Sequence, residues 1–283
     1  MNATKIEWCD FSWNPVTGCL HNCEYCYARK QIKRFAGKIC TPQDGNIYNG
    51  CRPYGKVYDF IELGITKERV CRNYTIGLEP GRCAKRDDPF NPKFHPNRLD
   101  QPARRKKPAR IFVVSMGDLF GEWVPDEWIE RVFEACEAAP QHTYYFLTKN
   151  PKRYKLSHGY PITFFASGRP YWFGFSATGQ KDFFVNLAES PKGNFGNRFI
   201  SFEPLVSAIK IPSKTEAYKA KKINWLIVGA ETGNRKGKII PKREWLLDIR
   251  KQCRDLKIPL FEKNSLKPLL PEGLIQQWPE EEA

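Results

Sequence analysis

Hydrophobic residues recur after residue 110 as five short, nearly unbroken runs: "RIFVVSMGD" (110–118), "TYYFLTKN" (143–150), "YWFGFSATG" (171–179), "RFISFEP" (198–204) and "NWLIVGAETG" (224–233). Runs this short, rich in β-branched and aromatic residues and lacking polar alternation, predict strands buried on both faces. Each closes on polar residues. Between them the period lengthens. In "PDEWIERVFEACEAA" (125–139), Trp128, Ile129, Val132, Phe133 and Cys136 share one helical face. Pro125 suits a first helical position there, and Asp126 and Glu127 suit the positive end of the dipole. "PKREWLLDIRKQCRDLK" (241–257) repeats the design with Trp245, Leu246, Ile249, Cys253 and Leu256, and "IPLFEK" (258–263) reads as one more strand.

Strands alternating with helices predict an α/β fold with a parallel sheet or barrel. The first unit fits if "FSWNPVTG" (11–18) is a strand and "YARKQIKRFAG" (27–37) its helix, stopped by Gly37. Residues 38–109 break the pattern, being rich in Gly, Pro, Asn, Asp and charge. So long an irregular stretch needs a function or a metal. The expectation is a partial (βα)6 TIM-like barrel from residues 1–37 and 90–265, with a cysteine-containing insertion at 38–89 after the first βα unit and a tail at 266–283. Parallel sheets bind ligands at the carboxyl ends of their strands. Asp118, Lys149, Ser176, Thr178, Glu203 and Glu231 are therefore drawn to one rim, although each alone also reads as a turn or cap residue.

Composition adds compartment and partner. With 41% hydrophobic and 14% aromatic residues there is material for a packed core. No apolar run is long enough to span a membrane, and the start "MNATKIEWCDFSW" has none of the marks of a signal peptide. The expected location is the cytoplasm, with no membrane partner. In that reducing compartment ten cysteines are not read as a disulfide framework. Lys and Arg outnumber Asp and Glu by 46 to 31, a net charge of +15, which favours a polyanionic partner such as DNA or RNA. "RRKK" (104–107), "KAKK" (219–222) and "RKGK" (235–238) fall between expected elements, where they are either solvated or free to meet phosphates.

The sharpest feature is "GCLHNCEYCYARK" (18–30), with Cys19, Cys23 and Cys26 inside eight residues. Structural zinc takes four ligands, normally from paired CxxC knuckles, so zinc would have to recruit Cys9 or His21. A catalytic Cys23–Cys26 disulfide lacks a thioredoxin-like setting. A [4Fe-4S] cluster held at three irons, with the fourth left for another ligand, accounts for the Cys-x3-Cys-x2-Cys spacing more simply. In the insertion, Cys40, Cys51, Cys71 and Cys83 match no knuckle; they are ligands for zinc or a second iron–sulfur cluster, or unligated structural thiols. Cys136 and Cys253, on helix faces, and Cys9 read as buried; Trp8 and Trp13 read as core.

The triplet after a first barrel strand, with Tyr25 just before its last cysteine, resembles the radical S-adenosylmethionine (SAM) superfamily. That likeness implies that Cys19, Cys23 and Cys26 hold the cluster, that SAM chelates the open iron, and that one electron cleaves SAM to methionine and a 5′-deoxyadenosyl radical. It implies Tyr25 against SAM, Gly117 and Asp118 of "SMGDLF" toward the SAM amino group, Ser176 and Thr178 toward the ribose, and Glu203 and Glu231 as further rim contacts. The match at "SMGDLF" carries Asp for Glu and Met for the first Gly. More narrowly, "TKIEWCDFSWNPVTGC", "SMGDLF", "FLTKNP" and "VGAETG" together resemble radical-SAM-like proteins of phages and mobile elements, largely without assigned reactions. A one-electron reductant such as flavodoxin or ferredoxin is the implied partner, and a nucleic-acid base the implied substrate. The competing class is a non-catalytic, zinc-containing nucleic-acid-binding protein.

Overall fold

The structure, a computed structural model, describes residues 1–35, 88–155, 171–191, 197–212 and 223–279. The chain divides into two compact units, one of Met1–Tyr25 with Pro92–Ala283 and one of Cys26–Asn91. In the smaller unit the described residues form one helix, α1 (Tyr27–Phe35), and a segment around Asp88. Arg29 of α1 pairs with Asp88 and lies over the Phe90 ring at 5.0 Å. Cys40, Cys51, Cys71, Cys83 and Gly37 lie outside the described residues.

The larger unit is built on strands β1 (Asn2–Ala3), β2 (Phe11–Trp13), β3 (Val16–Thr17), β4 (Lys93–Phe94), β5 (Arg110–Val113), β6 (Thr143–Thr148), β7 (Tyr171–Ala177), β8 (Asn197–Phe202), β9 (Trp225–Val228) and β10 (Leu260–Glu262). Eight of them form one sheet in the order β1-β2-β5-β6-β7-β8-β9-β10. All neighbours run parallel except β1, which is antiparallel to β2. The parallel strands thus follow one another in chain order. β1 and β10 remain its two edges, so the described residues form no closed barrel. A short pair, β3 with β4, stands apart.

The alternation of side chains along each strand sorts the core into two faces. On one, α2 (Asp126–Glu137) sets Ile129, Val132, Phe133 and Cys136 against Ile111, Val113, Phe146 and Phe173. On the same face, α3 (Gln180–Glu189) and α4 (Arg243–Leu256) cover Phe175, Ile200, Leu226 and Leu260 through Phe183, Leu187, Leu246, Ile249 and Cys253. The opposite face carries an aromatic layer of Trp8, Phe112, Tyr145, Trp172, Phe199, Trp225 and Phe261. Trp8 is its hub, with ring centroids 4.8 Å from Phe112, 5.9 Å from Phe199 and 6.3 Å from Trp225. Gly174 keeps the layer closed: a Cβ there would meet the Phe199 ring at 2.5 Å. Further along the same face, toward the strand ends, the residues turn polar. Ser176, Ser201, Lys149, Glu203 and Lys263 follow the aromatics.

The edge at β10 is covered. Phe261 bridges Gln276 antiparallel, and backbone bonds run from Glu262 N to Ile275 O at 2.7 Å and from Gln277 N to Leu260 O at 2.8 Å. Inside the sheet, Glu262 is 1% exposed and neutralised by a two-pronged contact from Arg250 at 2.8 and 2.7 Å.

Three expectations are corrected. The run 11–18 is two strands, because Pro15 has no N–H for a ladder and Val16–Thr17 turns away to pair with Lys93–Phe94. Pro125 stands just before α2, with extended backbone (φ −60°, ψ 145°), and Asp126 opens the helix. The polar ends of the apolar runs lie beyond the ladders, so the strand expected over 110–118 stops at Val113.

Candidate functional site

The loops leaving the carboxyl ends of β2 and β5 are locked together by backbone. Val114 N donates to Trp13 O at 2.7 Å and Gly18 N to Met116 O at 2.9 Å; Gly18 and Gly117 form a parallel bridge. The approach is so close that a Cβ on Gly117 would lie 2.7 Å from Gly18 O, which only glycine permits. Gly18 itself has φ 90°. Asn14 reinforces the join by accepting Met116 N at 2.8 Å and the Ser115 hydroxyl at 3.3 Å. Between them Val114 sits at φ 61°, a left-handed conformation that costs a β-branched residue about 1–3 kcal/mol. Strain of that kind persists where the surroundings over-determine it, and it clusters at functional sites.

Asp118 is the centre of what this junction holds. It is 4% exposed, and its carboxylate accepts four hydrogen bonds. Oδ1 takes the Phe120 N–H at 3.0 Å and the Thr148 hydroxyl at 2.7 Å; Oδ2 takes the Lys149 N–H at 3.0 Å and pairs with His21 Nε2 at 2.9 Å. A carboxylate offers about four lone-pair positions, and these four partners fill them. His21 is also packed edge-on against Trp123 at 4.8 Å. Asp118 therefore ties the cysteine loop, through His21, to the ends of β5 and β6.

Lys149, the next residue after β6, donates to the Tyr25 hydroxyl at 2.8 Å, with Cys23 nearby. Burial works against the Lys149 charge, yet attraction to Tyr25, Cys23 and Asp118 holds its pKa above the ordinary lysine value. Burial raises Tyr25 above the ordinary phenol, with the Lys149 cation opposing it. Further round the rim, Glu203 is paired with Lys263, and the two pack about Gly229, where a Cβ would meet Lys263 at 3.0 Å and Glu203 at 3.3 Å. Glu231 is gripped by Arg235 at 2.8 Å through both oxygens, and Arg235 reaches Glu24 of the cysteine loop at 3.3 Å. Ser176 lies on the same face with Ser201 beside it; the Ser201 hydroxyl is buried without a hydrogen-bond partner among the described residues.

Of the residues expected at the rim, Asp118 and Lys149 thus join one network that also takes in Tyr25, whereas Glu203 and Glu231 each belong to a separate ion pair. Thr178 turns toward α3, donating to Asp182 at 2.6 Å. Sequence reasoning named His21 only as a spare zinc ligand, took Arg235 only as part of a basic run, and passed over Thr148 and Lys263. The last stands at the polar end of its strand just as Lys149 does, so the same rule finds it.

Cys19 and Cys23 lie in the loop after β3, and Cys26 immediately precedes α1; none is in a disulfide, and all three are partly exposed. The Cys26 sulfur accepts the Arg29 N–H at 3.4 Å. Cys9, Cys136 and Cys253 are buried, which pushes the thiols of Cys9 and Cys253 up to about 12 and that of Cys136 well above the ordinary value. In kind, three accessible thiols are donors for a soft metal or an iron–sulfur cluster. Among the described residues, no group of three or more His, Cys, Asp or Glu is placed to hold a metal ion.

These features define a mixed α/β protein with a mostly parallel sheet and a polar network at the carboxyl ends of its strands. The chain belongs to the family described as a protein of unknown function (DUF5131), whose model matches residues 3–266. No curated protein and no solved structure matches the chain. No helix among the described residues is long and apolar enough to cross a membrane.

Proposed function

We propose that the chain is a radical SAM enzyme built on a partial (βα)6 barrel. Parallel strands in chain order, with α2, α3 and α4 against one face, support the barrel reading, because a doubly wound sheet would place helices on both faces. The observation that carries the chemical reading is Cys19, Cys23 and Cys26 within eight residues, downstream of the first parallel strand. In this reading the three thiolates hold a [4Fe-4S] cluster. When bound, the cluster supplies the electron that splits the sulfonium of SAM into methionine and a 5′-deoxyadenosyl radical, a flavodoxin- or ferredoxin-type protein being its source.

The roles of the chain's own residues follow from their contacts. Asp118, with its oxygens occupied, holds His21 and the loop in place more than it offers an oxygen to SAM. Lys149 and Tyr25 set a positive charge beside Cys23, where negative thiolate charge gathers. Ser176, Thr178, Glu203 and Glu231 are the rim groups assigned to SAM or substrate, and the ion pairs of the two glutamates must loosen for them to serve.

Anaerobic purification with iron, sulfide and zinc analysis tests the reading. The expected result is brown protein with about four irons per chain, lost in a Cys19→Ala/Cys23→Ala/Cys26→Ala variant, and 5′-deoxyadenosine formed from SAM on reduction. Colourless protein that carries zinc or no metal after reconstitution sinks it.

A further inference from the structure

Away from the cysteine loop, residues 101–107 are pinned where β5 and β6 begin. Gln141 donates to Arg105 O at 2.7 Å, and His142 Nε2 hydrogen-bonds Pro102 O at 3.0 Å; both residues immediately precede β6. The segment opens on a cavity of about 570 Å³ lined by Met1, Gln101, Arg104, Arg105, Lys106 and Lys107. Four of its six lining residues carry cationic side chains, and none is acidic. Asp100 pairs with Arg104 of the lining itself, and Asp10 pairs with Arg110. Arg105 is held in place by stacking its guanidinium over the Phe11 ring at 4.3 Å, and its buried Nε has no hydrogen-bond partner among the described residues. A phosphate backbone would meet the charge of Arg105, Lys106 and Lys107, and planar guanidinium beside lysines suits its oxygens.

We propose that this cleft is a docking site for the phosphodiester backbone of a nucleic acid. It lies on the side where the strands start, whereas the thiol loop leaves from where they end. The docking site and the proposed chemistry are therefore separate surfaces, and neither depends on the other. Contacts are to phosphates, so recognition is independent of base sequence.

Fluorescence anisotropy of the full-length chain with labelled single- and double-stranded DNA and RNA oligonucleotides decides the matter. If four phosphates are neutralised, affinity falls by about 150-fold between 50 and 200 mM salt, and neutralising three cations removes about 2.7 from the log–log salt slope. The variant Arg104→Gln/Lys106→Gln/Lys107→Gln should therefore bind weakly and with a shallow slope. Lys242→Gln/Lys251→Gln/Arg254→Gln, with the same charge change on α4 and the residue just before it, should bind nearly as the parent does. Unchanged melting temperatures show that both variants are folded. Equal losses in the two triples would reduce the effect to net charge and overturn the site. So would binding to phosphatidylserine vesicles with none to any oligonucleotide. The DNA and RNA arms identify which nucleic acid the cleft prefers.

Discussion

Asp118→Asn isolates what the buried carboxylate does, because the shape is kept while one acceptor becomes a donor. Its four partners are two backbone N–H groups, a hydroxyl and an imidazole. If the amide nitrogen replaces Oδ1, it faces the Phe120 N–H and a Thr148 hydroxyl that already accepts Asn150 N at 2.9 Å. If it replaces Oδ2, His21 can accept by changing tautomer, but the Lys149 N–H is left facing a donor. The second arrangement costs less, and it still strands one N–H at about 1–3 kcal/mol. Losing the stronger bonds of a charged acceptor adds to this, so we expect about 2 kcal/mol, or roughly 4–8 °C in melting temperature for a domain of this size. Asp118→Ala strands both N–H groups and should cost about twice as much. Urea and thermal unfolding measure both; Asp118→Asn melting within about 1 °C of the parent would show that the network does not hold the loop.

Further outcomes follow from the same geometry. Gly117→Ala forces a Cβ onto Gly18 O and should cost about 1–3 kcal/mol; parent-like unfolding in urea would count against the locked junction. Alkylation of the native protein with iodoacetamide, mapped by mass spectrometry, should label Cys19, Cys23 and Cys26 well before Cys9, Cys136 and Cys253, whose burial suppresses the thiolate; early labelling of Cys136 would contradict the packing of α2. Burial alone would raise the Asp10 carboxyl, but hydrogen bonds from Arg110 outweigh it and hold the pKa below its ordinary 3.8. The stabilisation is therefore complete above that value and disappears as pH falls through the folded pKa. Asp10→Asn should lower stability at pH 7, and the difference from the parent should shrink as pH falls below 3.8, which urea midpoints measured across that range report.

The elements legible in the sequence were those whose packing is periodic. The runs around Ile111, Tyr145, Phe173, Ile200 and Leu226 are strands, and the faces of α2 and α4 bury Ile129, Phe133, Leu246 and Ile249 as expected. Trp8, Trp13, Cys136 and Cys253 are in the core. α3 was not singled out because only Phe183, Asn186 and Leu187 are buried on it, too few to set a period. β4, two residues long, owes its conformation to β3, a partner distant in sequence, and β1, equally short, owes its own to the nearby β2. The rim as a location was readable from strand ends. Its wiring was not: the His21–Asp118 pair spans 97 residues and the Lys149–Tyr25 pair 124, and no local pattern encodes such pairs.

The segment at 275–277 does for the last strand what the N-terminal hairpin does for the first. Each lays an antiparallel stitch along a border that would otherwise present a row of unsatisfied amides to any passing chain. Borders this short offer little ladder for another chain to join. A protein cut after Leu270 would uncover the Glu262 N–H and the Leu260 carbonyl that this segment now satisfies.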